Sequence, residues 1–427
     1  MRTWLVLAIA ACGGGPRYLG AQLPDACGTD AEACAGWMAE RDLDAGNLDV
    51  YGDAALRRYV QSVADRLARG TRLAHPPRVV ISDHDGTYAA FGDRIVIGRM
   101  AIEKLGSEAE LAAIVAHELV HVEGRHATVS LFGPEADERW LATRRDAEGI
   151  ADERAVMLLE RAGYAPAAMQ RALEAELDAG DDAADDEHPA RAVRLAHVEQ
   201  LAGGRIAGFE GRSELLEHLR GMVLGRDTRL GVRVEDVWVI AALGVALDLS
   251  PRDVIHIDGD SVVVRHAKSS LTAYPIGAPW ARELAAGLDD RAETDTALGR
   301  ISVGTAPAHP RSEAPLARLE QSIHDLLPQP TPGTWVVILD RPRGGLVLEL
   351  SAKTDPFIRD RWLHGLRAAT PAELAAAEPR HLRVVRAPRA GTVAELVLAC
   401  PDPDAAGKLD RADRVLGAGD PIKCTDR

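Results

Sequence analysis

Residues 107–124 read SEAELAAIVAHELVHVEG, and this stretch carries several independent signals of a helix. Ser107 is followed three residues later by Glu110, which is the pattern of a capping box at a helix N-terminus. Apolar side chains then recur at helical spacing, at Leu111, Ile114, Val115 and Val122. We therefore predict a helix that begins after Ser107 and ends near Gly124.

The same stretch contains the pattern H-E-x-x-H at residues 117–121. Because residues four apart share one face of a helix, His117 and His121 can each direct a ring nitrogen at one metal ion. Glu118 is close enough to hold a metal-bound water and take its proton. The alternative is a helix that carries these three side chains by chance, since the bare pattern is short.

A catalytic zinc needs a third protein ligand, and the best candidate is Glu148. Residues 146–159 read DAEGIADERAVMLL, and Gly163 and Pro166 follow, which predicts a helix with a clear C-terminal end. Asp152 lies four residues after Glu148, so both share a face. Asp152 would accept a hydrogen bond from the free ring nitrogen of a ligating histidine. The alternative is a solvated acidic helix face.

Four short motifs occur in the order found in a known peptidase family. They are HELVHV at 117–122, RH at 125–126, EGIAD at 148–152 and AGYAP at 162–166. Together they resemble the Ste-type, HtpX-like zinc metalloendopeptidases (gluzincins), and more narrowly their soluble periplasmic BepA-like and LoiP-like branch. The resemblance covers roughly residues 50–202. It implies one Zn²⁺ per chain, held by His117, His121 and Glu148, with Glu118 as the general base.

Two further positions match this family, at His188-Pro189 and at Arg194. The resemblance implies that His188 can occupy the open position of the metal in a latent state, as a gate. It also implies that Arg194 faces the active site, where it could stabilise the oxyanion that develops during attack. The alternative for His188-Pro189 is the start of a helix, because proline favours the first turn.

Residues 87–98 read TYAAFGDRIVIG, which predicts a pair of strands. In zincins an edge strand above the catalytic helix receives the substrate backbone by strand addition. The family usually has an Asn-Ala-Phe element here, whereas this chain has Ala89-Ala90-Phe91. The absence of this Asn affects the expected placement of the substrate strand. It does not affect the expected metal chemistry.

The N-terminus reads as a secretion signal. Residues 1–12 are MRTWLVLAIAAC, in which one basic residue precedes a short apolar run. The run resembles a bacterial lipobox, so Cys12 would be lipidated and become the mature N-terminus, and Gly13 favours the outer membrane. The alternatives are an ordinary cleaved signal and a buried strand of a cytosolic protein.

The cysteine count agrees with export to the periplasm. If Cys12 carries lipid, an even set of four remains: Cys27, Cys34, Cys400 and Cys424. The pairs that are local in sequence are Cys27–Cys34 and Cys400–Cys424, although four cysteines permit three pairings. Disulfides indicate an oxidising compartment.

Composition limits the classes of partner. A chain of 427 residues with a formal net charge of −15 is a poor match for nucleic acid. Apart from the N-terminal run, the chain has no stretch that approaches the roughly 18 apolar residues of a membrane helix. We therefore expect a membrane connection through the lipid anchor only.

We predict an α+β multidomain chain: a mainly helical zincin-type domain with a small sheet, an α/β accessory domain and a small C-terminal module. The predicted parts are a signal peptide at 1–12, a tether at 13–36, the metalloprotease domain at 37–205, an accessory domain at 206–300, a linker at 301–333 and a C-terminal domain at 334–427. Residues 382–423 resemble a diverged LysM module of β-α-α-β order, without the usual Asn-Gly-Leu element. For this module, peptidoglycan binding is one alternative, and a docking or structural role is the other.

These observations predict an envelope endopeptidase that hydrolyses unfolded or misassembled proteins, because strand addition needs free backbone groups. The alternative is a zinc-latched periplasmic chaperone or assembly factor with little proteolysis, in which His188 holds the metal.

Overall fold

The computed structural model divides the chain into two compact units. The residues that it describes are 17–18, 21–22, 31–45, 50–83, 87–90, 93–126, 138–176, 189–202, 204–225, 227–258, 261–306, 331, 333–342 and 344–426. One unit, called here the sheet unit, takes its described residues from Met1–Val50 and Arg226–Glu378. The other, the helical unit, takes them from Tyr51–Gly225 and Pro379–Arg427. Both units mix helices and strands, in agreement with the predicted α+β class.

The described residues contain these helices: α1 (Ala31–Ala45), α2 (Ala54–Ala68), α3 (Arg99–Lys104), α4 (Glu108–Gly124), α5 (Glu138–Arg161), α6 (Ala168–Glu176), α7 (Arg191–Ala202), α8 (Arg212–Leu219), α9 (Ala278–Ala286), α10 (Pro356–Gly365), α11 (Pro371–Ala376), α12 (Val393–Leu396) and α13 (Pro403–Ala406). The strands are β1 (Arg17–Tyr18), β2 (Ala21–Gln22), β3 (Arg78–Ser82), β4 (Thr87–Ala90), β5 (Arg94–Gly98), β6 (Val232–Val234), β7 (Val237–Ile240), β8 (Val245–Asp248), β9 (Val254–Asp258), β10 (Ser261–His266), β11 (Ser269–Ile276), β12 (Asp289–Thr296), β13 (Gly299–Thr305), β14 (Trp335–Arg341), β15 (Gly344–Leu350), β16 (Leu366–Ala368), β17 (Leu382–Arg386), β18 (Gly391–Thr392), β19 (Val415–Leu416) and β20 (Pro421–Thr425).

The sheet unit is built on two antiparallel sheets. The larger has seven strands in the order β12-β13-β14-β15-β11-β10-β9, and the smaller has the order β16-β8-β7-β6. Strands β9 and β10 form a hairpin, with Ser261 opposite Asp258. Trp238 and Trp362 are buried in the core of this unit.

The division of the chain differs from the predicted boundaries in its last third. Strand β14, predicted to open a separate C-terminal domain at residue 334, pairs with β13, and β15 pairs with β11. Residues 335–350 therefore complete the sheet that begins in the predicted accessory domain. By contrast, Leu382 and Val384 of β17 belong to the main core of the helical unit. Local patterns cannot reveal such pairings, because the partners lie far apart in sequence.

The helical unit surrounds α4 with other helices and a three-stranded sheet. In that sheet β3 is parallel to β5, and β4 is antiparallel to β5 and lies at the edge. Every residue of α4 from Glu108 to Val120 is buried, including its charged side chains. A helix buried on all sides is stabilised by packing more than by its own propensity.

The predicted cap of α4 forms in part. Ser107 Oγ accepts from the Glu110 N–H at 3.3 Å, as expected. The Glu110 carboxylate, however, accepts from the Gly106 N–H at 2.6 Å instead of returning to Ser107. It also binds Arg171 at 3.0 Å and Arg414 at 2.6 Å. Burial alone raises the pKa of Glu110, but the two guanidinium groups and the Gly106 bond bring it below its ordinary value.

A buried lysine connects the C-terminal segment to the end of α3 and to the turn that precedes α4. Lys423 on β20 donates its Nζ hydrogens to Glu103 O at 2.6 Å, to Leu409 O at 2.9 Å and to Leu105 O. Burial lowers the pKa of Lys423 to about 8, and the nearby charge of Asp410 opposes that shift. Three carbonyl acceptors satisfy the three donors of the ammonium group.

Cys400 and Cys424 lie at disulfide distance, with Cα atoms 5.5 Å apart, which is the local pairing predicted from the sequence. The other predicted pair, Cys27–Cys34, and the lipobox residue Cys12 involve positions outside the described residues. The order β18-α12-α13-β19, with β18 and β19 antiparallel, has the predicted β-α-α-β sequence of elements. The likeness to a LysM module stays a prediction.

Among the residues that the structure describes, no helix combines the length and the apolar character needed to cross a bilayer.

We predict that Lys423→Met lowers the free energy of unfolding by about 3 kcal/mol, because three buried carbonyls lose their donor. Urea denaturation followed by circular dichroism measures the change. Lys408→Met is the control, because Lys408 is exposed and its change should stay within about 0.5 kcal/mol. Equal midpoints for the two variants would show that the ammonium contacts do not stabilise the unit.

Candidate metal centre

Helices α4 and α5 bring the three predicted ligands together. His117 and His121 lie one turn apart on α4, and their Nε2 atoms are 3.0 Å apart. Glu148 on α5 reaches both: its Oε2 is 3.3 Å from His117 Nε2, and its Oε1 is 3.2 Å from His121 Nε2. Helix α5 ends at Arg161, and Gly163 beyond it has the left-handed conformation expected at such an end (φ 78°).

The donor set fits a zinc ion. One ligand atom from each of His117, His121 and Glu148 lies within 4.8 Å of the others, and His117 and Glu148 are buried. Two imidazole nitrogens and one carboxylate oxygen form a ligand set that catalytic zinc sites use, and a tetrahedral ion then keeps one position for water or substrate. The site therefore places two imidazole rings and one carboxylate beside one another in a buried part of the helical unit.

Asp152 orients His117 from behind. Its Oδ1 lies 3.0 Å from His117 Nδ1, an ion-pair contact that favours a proton on Nδ1, and Nε2 of the same ring faces Glu148. Burial lowers the pKa of His117, but hydrogen bonds with Asp152 and Glu148 outweigh it and raise that pKa to about 10. A positive charge is therefore favoured at this position. This contact is the one predicted for Asp152 from the helical spacing.

His126 is a member of the site whose role the sequence analysis did not assign. Its Nδ1 lies 2.8 Å from Nδ1 of His121, so it can accept the His121 Nδ1 proton and leave Nε2 facing Glu148. Burial, together with the neighbouring His121, lowers the pKa of His126, which favours the neutral ring that such an acceptor needs. Gly124 makes room for it, because a Cβ there would overlap the His126 ring. The sequence feature that could have indicated this role for His126 is the Arg125-His126 motif.

Arg194 on α7 is placed differently from the expected oxyanion role. Its Nη2 and Nε donate to the two oxygens of Asp152, at 2.7 Å and 3.1 Å. Its Nη1 lies 3.4 Å from Glu148 Oε2. The guanidinium group of Arg194 therefore binds Asp152 and lies close to Glu148, and these two carboxylates contact the candidate histidine ligands. This arrangement favours a positioning role for Arg194. His188, the predicted gate, lies outside the described residues.

Glu118 lies beside the centre and contacts the edge strand. Its carboxylate accepts a hydrogen bond from the backbone N–H of Ala89 on β4. Burial raises the pKa of Glu118 to about 7, with Glu148 adding to the rise and His117 opposing it. The predicted base therefore sits between the candidate ligands and the strand predicted to receive the substrate.

We predict that Arg194→Gln lowers the free energy of unfolding of the metal-free protein by about 3 kcal/mol, because the buried Asp152 loses two charge-assisted hydrogen bonds and Glu148 loses a nearby cation. Arg58→Gln, at an exposed position on α2, is the control that changes the net charge equally. Denaturant titration in the presence of a chelator measures both. A loss no larger than that of Arg58→Gln would rule out the positioning role.

Comparison with known proteins identifies the same region. Residues 54–138 match the model of Peptidase family M48. The beta-barrel assembly-enhancing protease of Yersinia pestis is 29% identical over 100 residues, which are 23% of this chain. The match spans only 20% of that relative's length. The family match ends before Glu148, so this residue is placed at the centre by geometry. The part of the helical unit that contains α2 and α4 is therefore similar to Peptidase family M48.

Proposed function

We propose that this protein is a zinc-dependent endopeptidase of the bacterial cell envelope. One observation supports this most: two histidines and a carboxylate from different helices converge in a buried place, with a second carboxylate beside them. His117, His121 and Glu148 would hold one Zn²⁺ per chain. Glu118 beside this ligand set supports a hydrolytic role, because a zinc site for stability alone would need no such carboxylate.

The chemistry divides between the ion and the chain. When bound, zinc would supply Lewis acidity that polarises the scissile carbonyl. Glu118 takes a proton from the attacking water and passes it to the leaving amine. Asp152 and His126 keep the Nδ1 protons of His117 and His121 in place, and Arg194 fixes Asp152. Each of these contacts is within 3.1 Å.

The substrate is an extended segment of an unfolded or misassembled protein. Strand β4 lies at the edge of its sheet, so a peptide can add to it through backbone hydrogen bonds. Folded proteins do not offer free backbone groups of this kind. The Ala89 contact to Glu118 places this edge directly beside the base.

The envelope assignment has separate support. The relative in Yersinia pestis carries the name beta-barrel assembly-enhancing protease. Cys400 and Cys424 lie at disulfide distance, which suits an oxidising compartment such as the periplasm. The lipid anchor at Cys12 and the outer-membrane location extend this proposal from the N-terminal sequence.

The C-terminal segment has a structural role in this proposal, rather than peptidoglycan binding. Its β17 residues Leu382 and Val384 lie in the main core of the helical unit. Arg414 and Lys423 bind the start of α4 and the turn before it. Through these contacts, the C-terminal segment stabilises the position of α4, the helix that carries the proposed catalytic residues.

We predict that Glu148→Gln lowers zinc affinity about 100-fold, because an amide is a weaker ligand than a carboxylate. Competition with a fluorescent chelator measures the affinity. Glu153→Gln is the matched control, because Glu153 is exposed on the same helix and should leave the affinity unchanged. Identical affinities in the two variants would remove Glu148 from the ligand set.

We predict that Glu118→Gln retains zinc but lowers the rate of casein cleavage about 1,000-fold, because the water loses its base. The zinc-loaded wild type and Glu153→Gln, a control at an exposed position, are assayed in parallel. Wild-type protein that binds zinc and still cuts no unfolded substrate would overturn the proposed function. Cleavage by Glu118→Gln at the wild-type rate would assign the base elsewhere.

A further inference from the structure

Strand β9 (Val254–Asp258) forms an apolar edge of the seven-stranded sheet in the sheet unit. Among the described residues, no strand pairs with its outer side. Three of its five residues are apolar, and Val254 is 63% exposed. An edge strand of this kind offers unpaired N–H and C=O groups to another polypeptide.

The opposite edge of the same sheet is protected by charge. Every residue of β12 is exposed, and five of the eight are charged: Asp289, Asp290, Arg291, Glu293 and Asp295. Charged side chains on an edge strand prevent it from pairing with other chains. Strand β9 has no Lys or Arg, and its one Asp is its last residue. The two edges therefore differ, and β9 is the edge that can accept a further strand.

The backbone groups that face outward belong to Ile255 and Ile257. Residues of an antiparallel strand turn their N–H and C=O groups alternately toward and away from the neighbouring strand. Just before β9, the Asp253 carbonyl accepts from Arg233 Nη1 at 2.8 Å, and the Asp253 N–H donates to Ser250 O. The Asp253 groups therefore face away from β10. Those of Ile255 and Ile257 do so too, because they follow by two and four residues.

Two rows of apolar side chains end at this edge. On the core face of the sheet, each row crosses β15, β11, β10 and β9 through directly opposed residues. The rows are Leu350, Leu271, Val264 and Ile255, and Leu348, Ala273, Val262 and Ile257. The inner members are buried, whereas Ile255 and Ile257 are partly buried. An added strand with an apolar residue opposite each isoleucine would complete their burial.

The other face of this edge is cationic. Arg265 on β10 lies directly opposite Val254 and is exposed. Arg252 precedes β9 and Lys268 follows β10, and both are exposed as well. The ion pairs of the described residues include none of these three cations. An added strand would lie about 10 Å from β10, a distance that arginine and glutamate side chains span together. Acidic side chains on this face of the added strand would therefore be favoured.

The start of β9 is held in place before any strand is added. Asp253 is buried, and both of its carboxylate oxygens accept from Arg361 Nη2 at 2.7 Å. His266 Nδ1 lies 2.6 Å from the same carboxylate, and Trp362 donates to it at 3.3 Å. An edge that is already fixed loses little conformational entropy when it binds an extended segment.

We propose that β9 binds an extended segment of another protein in which apolar residues alternate with acidic ones. The segment adds antiparallel to β9 and exchanges hydrogen bonds with Ile255 and Ile257. Its apolar residues continue the two rows, and its acidic residues lie on the face of Arg252 and Arg265. A second copy of β9 would bring the same cations to the edge, so charge favours the acidic partner. This site lies in the sheet unit and does not rest on the proposed function.

The test uses the full chain carrying Glu118→Gln, so that peptides stay intact. Short labelled peptides of alternating Val and Glu, Val and Gln, or Val and Lys are titrated, and fluorescence anisotropy gives their affinities. The Val–Glu peptide should bind about 10-fold more tightly than the Val–Gln peptide, which is about 1.4 kcal/mol. The Val–Lys peptide should bind more weakly still.

N-methylated peptides test the backbone pairing. A residue directly opposite Ile255 or Ile257 exchanges both hydrogen bonds with it, and its side chain lies on the same face. In the Val–Glu peptide these residues are the valines. Methylation of a central Val amide should therefore weaken binding about 10-fold, and methylation of a central Glu amide should change it less than about 2-fold.

Variants locate the binding at β9. Arg265→Glu should remove the preference for Val–Glu over Val–Lys, and Arg57→Glu, at an exposed position on α2, is the charge-matched control that should keep it. Ile257→Pro removes one outward N–H and leaves the bonds to β10 in place, so it should weaken binding about 10-fold. Circular dichroism checks the fold of each variant. If Ile257→Pro does not fold, Arg265→Glu and the methylated peptides still decide.

Three results would overturn the proposal. They are equal affinities for the three peptides, an unchanged preference in Arg265→Glu, and no difference between the two methylated positions. Sedimentation of the protein alone provides a further check. A dimer that Ile257→Pro dissociates would show that a second copy occupies the edge, and would also overturn the proposal. Casein cleavage tests the proposed function separately, so either proposal can fail alone.

Discussion

The burial of α4 is the constraint on which the rest of the helical unit depends. A helix enclosed on all sides must not leave a charge without a partner, because the cost of a buried unpaired ion is several kcal/mol. Yet α4 carries Glu108, Glu110, His117 and Glu118 among its buried residues. Tyr59 and Tyr164 donate to Glu108 at 2.8 Å and 2.7 Å, and two arginines bind Glu110. The candidate metal centre, with His117 and Glu118, is one part of this wider compensation of buried charge.

The sequence could predict the centre because helical spacing is a local rule. His117 and His121 share a face by their separation of four, and Glu148 and Asp152 do so for the same reason. The contact of Asp152 with His117 was foreseen on that basis. The position of Arg194 could not be foreseen, because the direction of its guanidinium depends on how α7 packs. His126 escaped assignment because it follows the helix end, where the left-handed Arg125 (φ 51°) redirects the chain.

The individual helices and strands could largely be predicted from the sequence, whereas their arrangement into sheets and units could not. The hairpins β4–β5 and β9–β10 and the ends of α4 and α5 follow from turn and cap residues near them in sequence. The pairing of β11 with β15, and the return of β17 to the core that contains α4, involve partners far apart in the chain. The apolar residues of these strands follow a pattern that many other strands share, so many partners would satisfy it. The predicted boundary at 334 was placed by local composition for this reason.

The return of Pro379–Arg427 to the helical unit has a consequence for biosynthesis. Ribosomes deliver Tyr51–Gly225 first, then the whole of Arg226–Glu378, and only afterwards the segment with Arg414 and Lys423. Until that segment emerges, Glu110 has one of its two arginines and the carbonyls around Leu105 have no ammonium donor. In a nascent or prematurely terminated polypeptide, α4 therefore lacks part of the contacts that stabilise its N-terminal end. The contacts around the start of α4 can therefore be complete only after the chain has been synthesised as far as residue 423.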